Sequence, residues 1–151
     1  MRYVGIDLGD RRTGMALGDS VTRMSSPLCI IEVSISDEGG RALLNRIAKV
    51  VAEQVGTGGT SPCEFVLGLP LNMDDSEGPR AKLVRAFGER LAAATGMLVQ
   101  LQDERLTSSE ADWAMAQSGL TRKQKKARRD AIAAAAILND FLIALPREPQ
   151  L

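Results

Sequence analysis

The chain has 151 residues, with 19 basic and 19 acidic side chains, two cysteines and no histidine. At this length one domain is expected, spanning residues 1–151 and burying about two-thirds of the unfolded surface. Without histidine the chain alone makes no Ser-His-Asp triad, Cys-His dyad or His-ligated zinc site, and two cysteines are too few for a Cys-only zinc site; carboxylates are the obvious material left for chemistry.

Tyr3–Leu8 is a short apolar run that ends in Gly-Asp and reads as a strand. Gly9–Gly14 reads as the turn after it, and Met15–Gly18 as a second strand closing a hairpin. Leu28–Val33, rich in Ile and Val, is a third strand. Gly39 and Gly40 separate it from a helix whose Leu43, Leu44, Ile47, Val50 and Val51 fall on one face. Gly56–Pro62 is a loop, too short for a linker between domains. Glu64–Leu69 is a strand with a continuous apolar centre, as a position inside a sheet requires. A polar loop, Pro70–Gly78, leads to Pro79 in the first turn of the next helix. Leu83, Val84, Phe87 and Leu91 form that helix's apolar face, and Gly96 stops it. Leu98–Leu101 is a fifth strand. Thr107-Ser-Ser-Glu110 matches a capping box, so a helix starts near Ser108 and ends at Gly119. After a basic run, Asp130 opens an alanine-rich helix that reaches about Ala144. The order β-β-β-α-β-α-β-α-α predicts an α/β fold: a five-stranded mixed sheet flanked by helices, with the first three strands in a meander and the later ones parallel.

The balanced charge hides an asymmetry. Arg122–Arg129 holds six of the 19 basic residues, and the remainder has 13 basic against 19 acidic. A local basic run on an otherwise acidic chain marks either one contact with a polyanion or a solvated loop. Cys29 and Cys63 read as small buried residues. The N-terminus lacks the apolar stretch of about 7–15 residues of a signal peptide, and no stretch approaches the roughly 18 apolar residues of a membrane span. A cytoplasmic protein with no membrane partner is expected.

Three acids stand out. Asp7 lies in an apolar strand, where an unpaired carboxylate is costly. Glu104 follows the fifth strand, at the carboxyl edge where ligands gather in open α/β sheets. Asp130 follows the basic run. Each has an ordinary reading: Asp7 bonded to turn amides, Glu104 paired with Arg105 or another base, Asp130 as a dipole-favoured helix start. Brought together at one sheet edge, the three would need a counter-charge, for which Mg²⁺ or Mn²⁺ is suited.

Four motifs in order carry a resemblance: Tyr3-Val-Gly-Ile-Asp-Leu-Gly-Asp-Arg-Arg-Thr-Gly-Met-Ala16, then Val66-Leu-Gly-Leu-Pro-Leu-Asn-Met-Asp-Asp-Ser-Glu-Gly-Pro-Arg80, then Asp103-Glu-Arg-Leu-Thr-Ser108, then Asp130 with Ala134. Together they resemble the YqgF family, whose members are described as pre-16S ribosomal RNA nucleases and as RuvC-like Holliday-junction resolvases. The resemblance implies a ribonuclease H-like fold and Asp7, Glu104 and Asp130 as catalytic, metal-binding acids. Two Mg²⁺ or Mn²⁺ ions are then expected, with Asp7 bridging and Glu104 and Asp130 each holding one. One departure is Asp10, where the family often carries Thr or Ser; it is either a fourth carboxylate near the metals or, the favoured reading, a solvent-facing residue.

Arg12 and Arg105 are candidates to hold phosphates or neighbouring carboxylates, and Asn72 to donate to a phosphate backbone. Lys123, Lys125, Lys126, Arg128 and Arg129 are expected to contact phosphates as well. The loop Leu71–Pro79 reads equally well as a structural turn, and Thr107 as a helix cap. The expected activity is metal-dependent endonucleolytic hydrolysis of phosphodiester bonds, at the 5′ end of pre-16S rRNA within a ribosomal particle. The alternatives are resolution of branched DNA in recombination and repair, which calls for a homodimer where an RNA trimmer can be a monomer, and a non-catalytic RNA-binding ribosome-assembly factor. Asp7–Gly14 also resembles the first phosphate loop of the actin, sugar-kinase and Hsp70 group, but that group needs two such domains to enclose a nucleotide.

Overall fold

A computed structural model describes residues 1–55, 63–104 and 122–146, without the side chains of 122–128. Five strands form one mixed sheet: β1 (Arg2–Asp7), β2 (Thr13–Asp19), β3 (Ser25–Ile31), β4 (Cys63–Leu69) and β5 (Val99–Asp103). Their spatial order is β3-β2-β1-β4-β5. The first three pair antiparallel, and β4 lies parallel to both β1 and β5. The meander and the parallel half are therefore as expected, and β1 is central. Three helices are described: α1 (Arg41–Gln54), α2 (Pro79–Thr95) and α3 (Arg122–Ala144).

The sheet buries both faces, and period-two alternation assigns each residue to one of them. Val4, Ile6, Met15, Phe65 and Leu67 pack with Leu43, Leu44, Ile47 and Val51 of α1 and with Val84, Phe87 and Leu91 of α2. Tyr3, Ala16 and Val66, on the opposite face, pack with Ala134, Ile137, Leu138 and Leu142 of α3. The Tyr3 and Phe141 rings meet at 5.2 Å, tilted 58°.

Helix ends follow the sequence. Pro79 occupies the first turn of α2, and Gly96 closes it in the left-handed region at φ 70°. Arg23 caps α3 at its far end, its guanidinium donating to the carbonyls of Leu142, Ile143, Leu145 and Pro146 at 2.8–3.2 Å.

Three expectations are corrected. The third strand is Ser25–Ile31, not Leu28–Val33. Pro27 is accommodated because β3 is an edge strand and itself carries the extra residue, Leu28, where the register shifts opposite Met15 and Ala16. Leu83 is 40% exposed, and Ala81 and Gly88 complete the buried face of α2 in its place. The basic run is not a loop before Asp130 but the first two turns of α3, so Asp130 is a helix-interior residue and no N-terminal cap. Arg, Lys and Gln are strong helix formers that need no apolar face. The helix expected at 108–119, with its capping box at Thr107, lies outside the described residues, as does the loop at 56–62.

Candidate active site

Asp7 is the last residue of β1, on the face covered by α3. Glycines flank it on both neighbouring strands. Gly14 is its partner on β2, and the β1–β4 register, ending at Ile6 opposite Leu67, brings Gly68 alongside. These glycines have no Cβ because other groups occupy the space. A Cβ on Gly14 would run into the Asp130 carbonyl and approach the Ala131 nitrogen to 2.7 Å, and one on Gly68 would run into the Glu104 carboxylate. The backbone of α3 at Asp130 therefore rests on β2 to one side of Asp7, and the Glu104 side chain lies over β4 on the other. Gly5 and Gly18 continue the close approach: a Cβ on Gly5 would meet Leu138 at 2.8 Å, and one on Gly18 would meet Leu142 at 2.9 Å. Asp130, Ala134 and Leu138 form one i, i+4 row of α3 facing this seam.

The electrostatics agree with that placement. Burial first, and then the charge of Asp130, push the Asp7 carboxyl up to about 6; the Arg80 guanidinium opposes the rise. Burial, then the charges of Asp7 and, more weakly, Asp103, push Glu104 up to about 7, again against Arg80. Two carboxyls held well above their ordinary range at a strand edge, by burial first and neighbouring acids second, are the pattern of a functional carboxylate site. All the donors are carboxylate oxygens, which suit hard divalent cations. Among the described residues no three acidic or cysteine side chains converge closely enough to grip an ion as they stand. Asp130 is instead turned toward Arg12, with Nε–Oδ2 at 3.5 Å. The chemistry of the set, three carboxylates without nitrogen or sulfur donors, is that of a hard divalent-cation site.

The other candidates separate. Arg12 is at the site, as a partner of Asp130 and so a neighbour of carboxylates. Asn72 is held within its own loop: its amide nitrogen donates to Ser76 Oγ at 3.0 Å, and its backbone N–H bonds the Ser76 carbonyl at 2.9 Å. The loop is thus a braced turn, closed by the Leu71–Glu77 bridge. Asp10 is 80% exposed, as favoured, yet it is paired with Arg80. Arg129 is exposed on α3. Arg105 lies outside the described residues, and so do the side chains of Lys123, Lys125, Lys126 and Arg128. Neither cysteine is disulfide-bonded; Cys63 is buried and Cys29 half-buried.

The residue that sequence reasoning missed is Arg80, in the first turn of α2. It donates to the Leu8 carbonyl and to the Asp10 carboxylate, and its charge acts on both Asp7 and Glu104. Its signal was the arginine directly after Pro79, at a helix start facing the carboxyl edge of the sheet.

The fold is that of RuvC-like resolvases, a ribonuclease H-like architecture. The chain superposes on a Thermus thermophilus RuvC in complex with a Holliday junction substrate (TM-score 0.55, 15% identity, 95% of this chain and 94% of that one). It also superposes on Fowlpox virus resolvase bound to Holliday junction DNA (TM-score 0.59, 10% identity, 97% and 100%). Among sequences, a protein of Anaeromyxobacter sp. (strain Fw109-5) named "Putative pre-16S rRNA nuclease" is 44% identical over 143 residues, 94% of this chain and 96% of the relative. A protein of the same name from Lactococcus lactis subsp. cremoris (strain MG1363) is 34% identical over 95% of this chain and 94% of its own length. The model of the family described as RuvX: Holliday junction resolvase matches residues 1–144, and the chain belongs to that family.

Proposed function

We propose that this chain is a divalent-cation-dependent endonuclease that hydrolyses nucleic-acid phosphodiester bonds, with pre-16S rRNA as its substrate. The observation that carries this reading is the seam itself: Asp7 ends the central strand, with Glu104 over Gly68 on one side and Asp130 over Gly14 on the other. Asp7, Glu104 and Asp130 would hold the Mg²⁺ or Mn²⁺ ions, with Asp7 the central ligand because its strand is central and rigid and the other two acids flanking it. Bound there, the ions would activate water and polarise the scissile phosphate, and the chain has no histidine to serve as general base in their place. The chain's own part is to fix the carboxylates at the edge of two packed cores, to release their protons at neutral pH once cations are present, and to deliver the phosphate backbone along the basic start of α3.

The RNA reading follows the name of the sequence relatives. The family description and the fold neighbours favour a second substrate, the four-way DNA junction. That activity needs two active sites related by a two-fold axis, hence a homodimer, whereas trimming RNA is open to a monomer. Among the described residues no helix is long and apolar enough to cross a membrane.

The test is cleavage of a labelled 16S precursor and a mobile junction side by side, in Mg²⁺, in Mn²⁺ and in excess chelator, with solution mass measured with and without the junction. Cutting of the precursor that stops in chelator supports the reading. Preferential cutting of the junction by a dimer replaces it with the second. Undiminished cutting in chelator overturns the metal-dependent mechanism, and binding of RNA without turnover under any metal leaves a non-catalytic assembly factor.

A further inference from the structure

Arg80 stands where the two elevated carboxyls are, yet it is bonded to neither. Its guanidinium gives one N–H to the Leu8 carbonyl, directly after Asp7, and one to the Asp10 carboxylate, 70 residues away in sequence. An arginine has five N–H donors. The other three have no acceptor among the described residues. The Arg80 side chain is 36% exposed, so those donors are within reach of a ligand. Asp10, on the outside, holds the guanidinium from the solvent side. The Leu8 carbonyl ties it to the strand that carries Asp7. A fixed, partly open planar fork beside an acid cluster is poorly explained as a simple counter-ion, which would pair with the acids themselves. It matches the bidentate geometry of a phosphate.

We propose that Arg80 is a catalytic residue, donating hydrogen bonds to a non-bridging oxygen of the scissile phosphate, and that Asp10 is the positioning residue that aims it. This rests on the endonuclease reading above. Charge builds on the non-bridging oxygens as the phosphodiester is attacked, and a pre-aimed guanidinium stabilises it without reorganising. When cations neutralise Asp7 and Glu104, the pull of those carboxylates on Arg80 is cancelled and the fork is left to the substrate. The proposal also assigns Asp10 a purpose outside the metal shell.

The test compares wild type with Arg80→Gln, Arg80→Lys, Asp10→Asn and the Asp7→Asn control. Melting, Mn²⁺ binding without nucleic acid, kcat and KM in Mg²⁺, and the rate change on a single phosphorothioate at the cut site are measured for each. Arg80→Gln is expected to lower kcat about 10²-fold with KM within about threefold. Its Mn²⁺ affinity should equal or exceed that of wild type, because a cation has left the acid cluster. Its sulfur penalty should shrink, since the contact that reads the oxygen is gone. Arg80→Lys should recover part of the rate, and Asp10→Asn should lose about 3–10-fold in kcat at unchanged melting temperature. Arg80→Gln within threefold of wild type, beside a dead Asp7→Asn, overturns this proposal and leaves the endonuclease reading standing. Mn²⁺ binding weakened tenfold together with an unchanged sulfur penalty makes Arg80 a structural strut and also overturns it. If Arg80→Gln does not fold, wild-type kcat and sulfur penalty in Arg80→Lys and Asp10→Asn overturn it. Wild type that cuts nothing in any metal fails the underlying reading instead.

Discussion

The two faces of the sheet are built on opposite principles. The face under α1 and α2 is filled by large side chains, among them Phe65, Met15, Leu43, Ile47 and Leu91. Such a layer sets the helices at an ordinary packing distance and tolerates small volume changes. The face under α3 is cleared by Gly5, Gly14, Gly18 and Gly68, with Ala16, Ala131 and Ala134 adding little bulk. There the helix backbone touches the strands. The first face makes the molecule stable. The second turns backbone contact into the position of one acid: Asp130 flanks Asp7 because nothing at Gly14 holds α3 away.

The largest effect expected from breaking this arrangement is at Asp7. Asp7→Asn keeps the shape of the seam and removes its central charge. Cleavage should fall at least 10²-fold, on the order of 3 kcal/mol or more of transition-state stabilisation. The melting temperature in metal-free buffer at neutral pH should hold or rise, because burial and Asp130 already disfavour that charge. A wild-type rate in this variant would make Asp7 a structural residue.

The comparison of faces is sharpened by one methyl group placed on each. Gly14→Ala drives a Cβ into the backbone of α3 at Asp130 and Ala131, which cannot rotate away as a side chain can. About 1–3 kcal/mol of stability should be lost, together with activity, because the shift moves Asp130. Ile47→Val on the other face should cost about 1 kcal/mol and leave activity unchanged. Thermal melts beside cleavage rates check the pair. Equal losses of activity in both variants would mean that α3 does not set the site.

These faces were not equally legible in the sequence. The α1/α2 face could be read from periodicity: Leu43, Leu44, Ile47 and Val51 are buried as their spacing indicates, and the first strand carries Asp7 as expected, although it ends there and not at Leu8. The α3 face was legible only in part, since glycine carries no hydropathy signal and Gly5 and Gly14 read either as room for close backbone packing or as ordinary turn chemistry. The start of α3 was missed because its first turns are cationic, and charge without an apolar stripe reads as loop. The pairing of Arg80 with Asp10 joins residues 70 apart, which no local spacing announces. Glu104 was placed by its position after β5, and Asp130 by the basic run before it and by resemblance; the close contacts at Gly68 and Gly14 explain the two positions physically.

The raised carboxyls give a pH signature of intermediate size. Asp7 sits at about 6 against 3.8 for an unperturbed side chain, and Glu104 at about 7 against 4.5. Between those limits the folded protein keeps protons that the unfolded chain has released. Their contribution to stability is therefore full below about pH 4 and is lost as pH rises through about 7. The expected loss in metal-free buffer is on the order of 3 kcal/mol from Asp7, with a smaller addition from the partly exposed Glu104. Asp7→Asn should show a shallower decline over the same range, and saturating Mg²⁺ should reverse the slope, because cations compete with protons for these oxygens. Parallel curves for wild type and Asp7→Asn in chelator would show that Asp7 is not held under repulsion.

The smallest effect concerns how nucleic acid reaches the seam. Because Arg122–Arg129 begins α3, helical spacing fixes register: positions 123 and 126 precede Asp130 by seven and four residues and share its row, while 125 and 128 fall on the opposite side. Phosphate contacts position a duplex or strand without reading its bases. Each one released removes about 0.9 from the slope of log affinity against log salt for duplex DNA, and about 0.7 for a single strand. Lys123→Ala with Lys126→Ala should thus flatten that slope by about 1.4–1.8 and weaken binding roughly tenfold at low salt, with cleavage positions unchanged. Lys125→Ala with Arg128→Ala should change it by less than half as much. Equal flattening by both pairs would mean that the run acts as a diffuse cloud of charge. An unchanged slope in both would move the nucleic-acid path off α3, leaving the close approach of that helix to serve Asp130 alone.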